Sequence, residues 1–159
     1  MKKKDVVDRI VEALRAKVAL HLAAARAAHD EATHEDMVAE DKYDTRGLEA
    51  SYLADGQARQ MEEVANAHQE YAALFLKKFA PTDPIDVSAL VVLEMKKKQF
   101  VYFVGPSAGG TEVECDGETV LVITPQSPLG KQLVGRKRGD TFKLKIGPFT
   151  DEYKVVSVS

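Results

Sequence analysis

Ala80-Pro81-Thr82-Asp83-Pro84 is the stretch on which the reading of this chain turns. Two prolines in four residues oppose helix continuation, because each lacks a backbone donor and crowds the residue before it. On its N-terminal side there is no proline, and of the ten glycines only Gly47 and Gly56 lie there. Two of the six prolines lie within it, and on its C-terminal side lie the other four, the other glycines and most of the β-branched residues. The chain therefore divides into an N-terminal region 1–80, a linker 81–85 and a C-terminal region 86–159.

Upstream, Val7, Val11, Leu14, Val18 and Leu22 recur at steps of three and four, and Ala25 and Ala28 extend the stripe. Gln57, Met61, Val64, His68, Tyr71 and Phe75 keep a four-three rhythm, continued upstream by Ala50 and Ala54. Such spacing puts the apolar residues on one seam of each of two helices packed side by side. The first seam is alanine-rich at its end and the second at its start, so an antiparallel coiled-coil hairpin brings the slender ends together. A first helix from Asp5 to Ala32 spans roughly 40 Å at 1.5 Å per residue.

Downstream, the pattern reads as strands at 87–95, 99–104, 111–115, 119–124, 141–146 and 152–158. Asp116-Gly117 is a tight-turn signal. Ser127 suits an N-cap, Pro128 the first helical position and Gly135 the C-terminal cap, which predicts a helix of about two turns. The fold class expected is α+β: a long helical hairpin, then an antiparallel β domain carrying one short helix.

With 45% hydrophobic and 30% charged residues the composition is that of a folded soluble protein. A net charge of −3 gives no global drive to wrap nucleic acid. The lone Cys115 forms no internal disulfide and fits a reducing compartment. Asp8, Arg9, Glu12, Arg15 and Lys17 interrupt any apolar run behind the basic start, so neither a secretory signal nor a membrane span is expected. The expected location is the cytoplasm.

Chemistry concentrates between the two long helices. From Asp30 to Asp44 there are seven acids, Asp30, Glu31, Glu35, Asp36, Glu40, Asp41 and Asp44, against Lys42 alone. Clustered carboxylates repel one another, and a hard cation such as Mg²⁺ relieves that repulsion through their oxygens. A solvated acidic loop is the plainer reading. An intrinsic zinc site is not expected, since His29 and His34 stand five apart and diverge by about 140° on a helix. His21 and His68 lie near the seam as packed or snorkelling residues rather than catalytic ones. Gly105-Pro106-Ser107-Ala108-Gly109-Gly110 lacks the Lys-Ser/Thr of a phosphate loop and reads as a strand connection. Lys96-Lys97-Lys98 and Arg136-Lys137-Arg138 are solvated turns or contacts to an acidic surface or nucleic acid.

The run from Ser127 to Asp140, Ser-Pro-Leu-Gly-Lys-Gln-Leu-Val-Gly-Arg-Lys-Arg-Gly-Asp, followed by Glu152-Tyr153-Lys154-Val155-Val156, resembles the C-terminal signature of the bacterial Gre (GreA/GreB) transcription elongation factors. Ala39-Glu40-Asp41-Lys42-Tyr43-Asp44 resembles their acidic tip. The resemblance implies an FKBP-like C-terminal domain that docks on RNA polymerase at its secondary channel, with Ser127, Pro128 and Leu129 at the contact. It implies a hairpin that enters the channel, where tip carboxylates help hold Mg²⁺ while the polymerase cleaves its own backtracked RNA. Asp36, Glu40 and Asp41 are the catalytic candidates, with Asp36 and Glu40 as metal ligands. The Mg²⁺ is shared with the polymerase and not held by the chain alone. The chain itself is then no enzyme but a monomeric cofactor, touching nascent RNA indirectly, in a family associated with DNA binding in transcription.

One departure matters. Aligned on Tyr43, the family's acidic pair falls on Asp36 and Ala39, and Ala39 offers no ligand, so Glu40 or Asp41 takes that place. A second reading is a non-cleaving channel regulator that inhibits or modulates the polymerase. A third, weaker one is an FKBP-like isomerase or chaperone, opposed by the absence of tryptophan and of an aromatic-rich pocket signature.

Overall fold

The computed structural model describes the backbone at residues 1–33 and 46–159, with side chains at all of these except 28, 32, 33 and 46–54. Helix α1 spans Lys3–Thr33 and α2 spans Arg46–Ala72. Six strands follow: β1 Leu90–Met95, β2 Lys98–Val104, β3 Glu112–Cys115, β4 Glu118–Ile123, β5 Thr141–Ile146 and β6 Phe149–Val158. The short helix α3, Pro128–Leu133, lies between β4 and β5. Both long helices and every strand fall where the seam and strand patterns put them, within three residues at most ends.

Contacts group the chain into two compact units, one of Met1–Ala13 with Gln69–Ser159 and one of Leu14–His68. In the second unit His21 Nδ1 meets Gln57 Oε1 at 3.2 Å, so this histidine sits on the seam as a packing residue. In the first, Lys3 Nζ donates to the carbonyl of Lys77 just past α2. Moving along α1 from 3 to 21 carries the partner position back from 77 to 57, which fixes the helices as antiparallel.

The seam is wider at its base than the heptad pattern implies. Val6 and Ile10 are fully buried beside Val7, and Leu14 follows at the edge of the second unit. The base of α1 thus needs an apolar face broader than a two-helix seam, because it belongs to the unit that holds the sheet. Phe75 departs from the expected seam. Helix α2 ends at Ala72, the 3.6-residue period lapses there, and Phe75 is 83% exposed.

The sheet runs β3-β4-β2-β1-β6-β5. Four of its pairs are antiparallel, as expected, but β2 and β4 pair in parallel over Val101–Val104 and Val120–Ile123. The sheet is mixed rather than purely antiparallel for a topological reason. Strands β2, β3 and β4 alternate in direction, and the β3–β4 hairpin turns so that β4, not β3, lies against β2. Asp116 (φ 54°) and Gly117 (φ 80°) make the hairpin turn. Lys96 (φ 51°) and Lys97 (φ 65°) make the corresponding turn between β1 and β2, so the first basic cluster is a tight turn. Its Lys96 Nζ reaches Asp151 Oδ1 at 2.6 Å, and that bond raises the lysine's pKa.

One face of the sheet carries a core cluster that includes Val91, Leu93, Tyr102, Val104 and Val155 with Leu133 of α3, and the alternate residues Val101, Phe103, Val120 and Val122 are buried on the other face. Cys115 is buried on β3, as a small apolar residue is expected to be. Tyr71, at the end of α2, is 1% exposed and its ring lies 6.3 Å from that of Phe103. Its hydroxyl donates to the carbonyl of Ser107 at 2.9 Å.

Burial, and secondarily the charge of Glu70, pushes the Tyr71 phenol well above its ordinary value of 10.0. The folded chain therefore keeps a proton that the unfolded chain loses above that value, so this stabilisation is present at neutral pH and is lost as pH rises. Tyr71→Phe should cost about 1 kcal/mol at neutral pH. Between about pH 9 and pH 11 the parent should then lose more stability than the variant. Urea unfolding of both proteins checks this, and equal losses would exclude Tyr71 as the source.

Candidate functional site

Two places were singled out by the sequence. Asp36, Glu40 and Asp41, together with Ala39 and Tyr43, lie outside the described residues. The acids described at the end of α1, Asp30 and Glu31, are exposed. Among the described residues no group of three or more His, Cys, Asp or Glu side chains comes together in a way that holds a metal ion.

The second place is α3 and the turn after it. Ser127 has extended backbone (φ −65°, ψ 155°) and caps the helix. Its Oγ accepts from the Gly130 amide at 3.0 Å and donates to the Thr124 carbonyl at 2.7 Å. Both capacities of the hydroxyl are thus used locally, and the Ser127 side chain positions the helix. Pro128 stands at the helix start, where no amide donor is needed, and is exposed. Leu129 is half-buried, and Leu133 one turn on is fully buried in the core. The start of α3 therefore leaves Pro128 and part of Leu129 exposed, with exposed Lys131 beside them.

Gly130 explains how so short a helix is held. A Cβ on it would sit 1.8 Å from the Thr124 carbonyl oxygen, so α3 presses directly on the loop before it. Past the helix, the Gly135 amide donates to the Ile85 carbonyl and the Ile85 amide to the Arg136 carbonyl, each at 2.8 Å. This pair of bonds ties the basic turn to the end of the proline-containing linker. Arg136 Nε donates to the Gln132 carbonyl, and its guanidinium lies 4.8 Å from the Phe142 ring centre. Asp140 Oδ2 accepts from the Lys137 amide at 2.8 Å. Of the second basic cluster, then, Arg136 is committed to holding the turn, while Lys137 and Arg138 are exposed.

Two exposed residues carry no signal in the strand reading. Ile146 (59% exposed) and Phe149 (70% exposed) face each other across the β5–β6 turn. The last strand begins at Phe149, three residues before the expected 152. Pro148 reads as a strand breaker, but it occupies a turn position. Gly147 (φ 60°) before it supplies the first central residue of a type II′ hairpin, the conformation that glycine adopts freely.

A pair of long antiparallel helices with a mixed sheet and one capped short helix defines an α+β chain. Solved structures similar to this chain include the GreA factor homolog 1 (Gfh1) protein of Thermus thermophilus, at 22% identity and TM-score 0.38, covering 94% of each chain. Gfh1 of Thermus aquaticus is similar at 21% identity and TM-score 0.41, over 98% of this chain and 92% of that one. The transcription elongation factor GreA/GreB from Nitrosomonas europaea shows 20% identity and TM-score 0.38, over 60% of this chain and 78% of its own. No family model and no curated protein matches the chain. Among the described residues no helix is long and apolar enough to cross a membrane.

Proposed function

We propose that this chain is an RNA-polymerase accessory factor of the Gre kind. It docks through the start of α3 and brings the acidic segment between α1 and α2 to the polymerase's secondary channel. The observation that carries the reading is the Ser127–Asp140 run. Its Gre-like residues form a capped helix and a clasped basic turn, with Pro128 exposed and Leu129 half-buried. A contact of this kind needs a rigid support, and the cap, the Gly130 contact and the Ile85 bonds supply one. In this reading the chain has no reaction of its own. Asp36 and Glu40, with Asp41 as the alternative second ligand, complete the coordination of a Mg²⁺ held mainly by the polymerase and the RNA, and the polymerase cleaves the backtracked transcript.

One observation favours a second outcome at the same location. Ala39 stands where the family's second acid is expected, so a protein that docks and occupies the channel without stimulating cleavage is the competing reading.

The test is binding of the labelled full chain to bacterial core RNA polymerase, followed by fluorescence anisotropy. Pro128→Ser with Leu129→Ser should weaken binding at least tenfold, about 1.4 kcal/mol. Leu129 packs against the core, so the variant should melt somewhat below the parent, and its binding is compared well under that transition where it is fully folded. Binding unchanged in a folded variant would remove α3 from the contact, and no binding by the parent would end the polymerase reading.

A further inference from the structure

The start of α1 and the segment just past α2 line an open cleft of about 380 Å³, a volume within the range of small-molecule sites. Its walls are Met1, Lys3, Leu76, Lys77, Lys78 and Phe79, together with Ser159. All of these residues belong to the same compact unit. Phe79 packs against the core cluster, so its ring is held in place. Two ammonium groups converge on that ring: Lys3 Nζ lies 4.6 Å and Lys77 Nζ 4.9 Å from its centre. Lys3 Nζ also donates to the Lys77 carbonyl, which uses one of its three donors. Ser159 is tied through its backbone to Leu90.

What the cleft lacks is a negative partner. Among the described residues no Asp or Glu forms an ion pair with Lys3, Lys77 or Lys78. Burial holds the Lys3 ammonium down at about 8, against an ordinary 10.5. Desolvation of this kind is ordinarily offset by a carboxylate, and a ring face offsets it only in part. An anion from outside would stabilise the charged form of Lys3 and relieve the repulsion between the two ammoniums. The positive patch is also short. Beyond Lys4 the next charges along the chain are Asp5 and Asp8, and beyond Lys78 they are Asp83 and Asp86. A nucleic-acid strand needs a basic track several phosphates long, which these acids interrupt.

We propose that this cleft binds a small molecule bearing a di- or polyphosphate group, held by Lys3 and Lys77 with the exposed Lys78 beside them. Three lysines with no acid among them match a compact, multiply charged oxyanion. Ammonium groups serve phosphate as point charges, whereas a planar carboxylate is better matched by the fork of an arginine, and no arginine lines the cleft. The volume leaves room beside Leu76 and Met1 for an organic part of the ligand. The site is independent of docking through α3, and its test needs no polymerase.

The experiment is isothermal titration of the full chain with inorganic pyrophosphate at a fixed low ionic strength, where exposed charges are least screened. The parent should bind saturably. Lys3→Met/Lys77→Met should weaken binding at least tenfold. Lys143→Met/Lys145→Met removes the same charge from exposed positions of β5 and should leave affinity within about twofold of the parent. If the first pair does not fold, Lys77→Ala alone decides, since that side chain is exposed, and it should still weaken binding severalfold. Equal losses from the two pairs would reduce the effect to net charge and overturn the site. So would the absence of saturable binding by the parent up to millimolar pyrophosphate. A short single-stranded RNA that binds through Lys3 and Lys77 more tightly than pyrophosphate would overturn the small-molecule assignment.

Discussion

Gly130→Ala should destabilise the chain by about 3 kcal/mol, the upper part of the range for forcing extra atoms into a packed site. The added carbon would lie 1.8 Å from the Thr124 carbonyl oxygen and 2.8 Å from its carbonyl carbon. Neither is the far end of a flexible side chain. That carbonyl also accepts the Ser127 hydroxyl and the Ser127 amide, at 2.7 and 3.0 Å. Moving it away disturbs the cap as well as the contact. The helix has only six residues and no propensity to persist once uncapped. A control comes from Gly56, a glycine inside α2 around which nothing lies within 4 Å. Gly56→Ala should stabilise by roughly 0.5–1 kcal/mol, because alanine loses less backbone entropy in a helix. Urea unfolding of the two variants beside the parent reads both signs. Equal midpoints for parent and Gly130→Ala would mean that α3 does not press on the 124 loop.

Asp36→Asn combined with Glu40→Gln should lower transcript-cleavage stimulation on the order of 100-fold, given that a bound metal supplies several kcal/mol to such a reaction. Polymerase affinity should stay within a factor of two or three of the parent. The substitutions keep shape and remove charge, so they act on metal binding rather than on reach. Mg²⁺ takes one or two protein carboxylates and fills the rest of its octahedron with water and phosphate. Loss of both proposed ligands therefore removes the chain's whole share of the site. Asp41→Asn alone should have the smaller effect if Glu40 is the second ligand, and the larger one if the segment is shifted by one residue. The assay is cleavage of RNA in a stalled, backtracked complex, with binding measured in parallel. If the parent binds and never stimulates cleavage, the Ala39 departure has decided the matter, and the chain is a regulator that occupies the channel.

Much of the architecture is legible in local chemistry. The change of grammar at Pro81 and Pro84 separates helices from strands because proline acts on the residues beside it. The seam of α1 follows from side-chain period alone. So does the start of α3, where Ser127 and Pro128 each satisfy a requirement set within one turn. These features involve partners near in sequence, and the residues that answer them are few in kind.

What depends on distant partners was not legible. The parallel β2–β4 pair arises from which strand of a hairpin lies inward, a choice that alternating apolar residues do not encode. The burial of Val6 and Ile10 comes from the sheet-containing unit to which the base of α1 belongs, not from the helix's own period. The exposure of Ile146 and Phe149 arises because β6 outruns β1, and strand length relative to a neighbour exists only once the sheet is assembled. Sequence by itself determined the elements, the break between them and the acids available between α1 and α2. Tertiary structure decided which apolar residues are left facing water, because exposure is a property of neighbours, and most neighbours here are far apart in the chain.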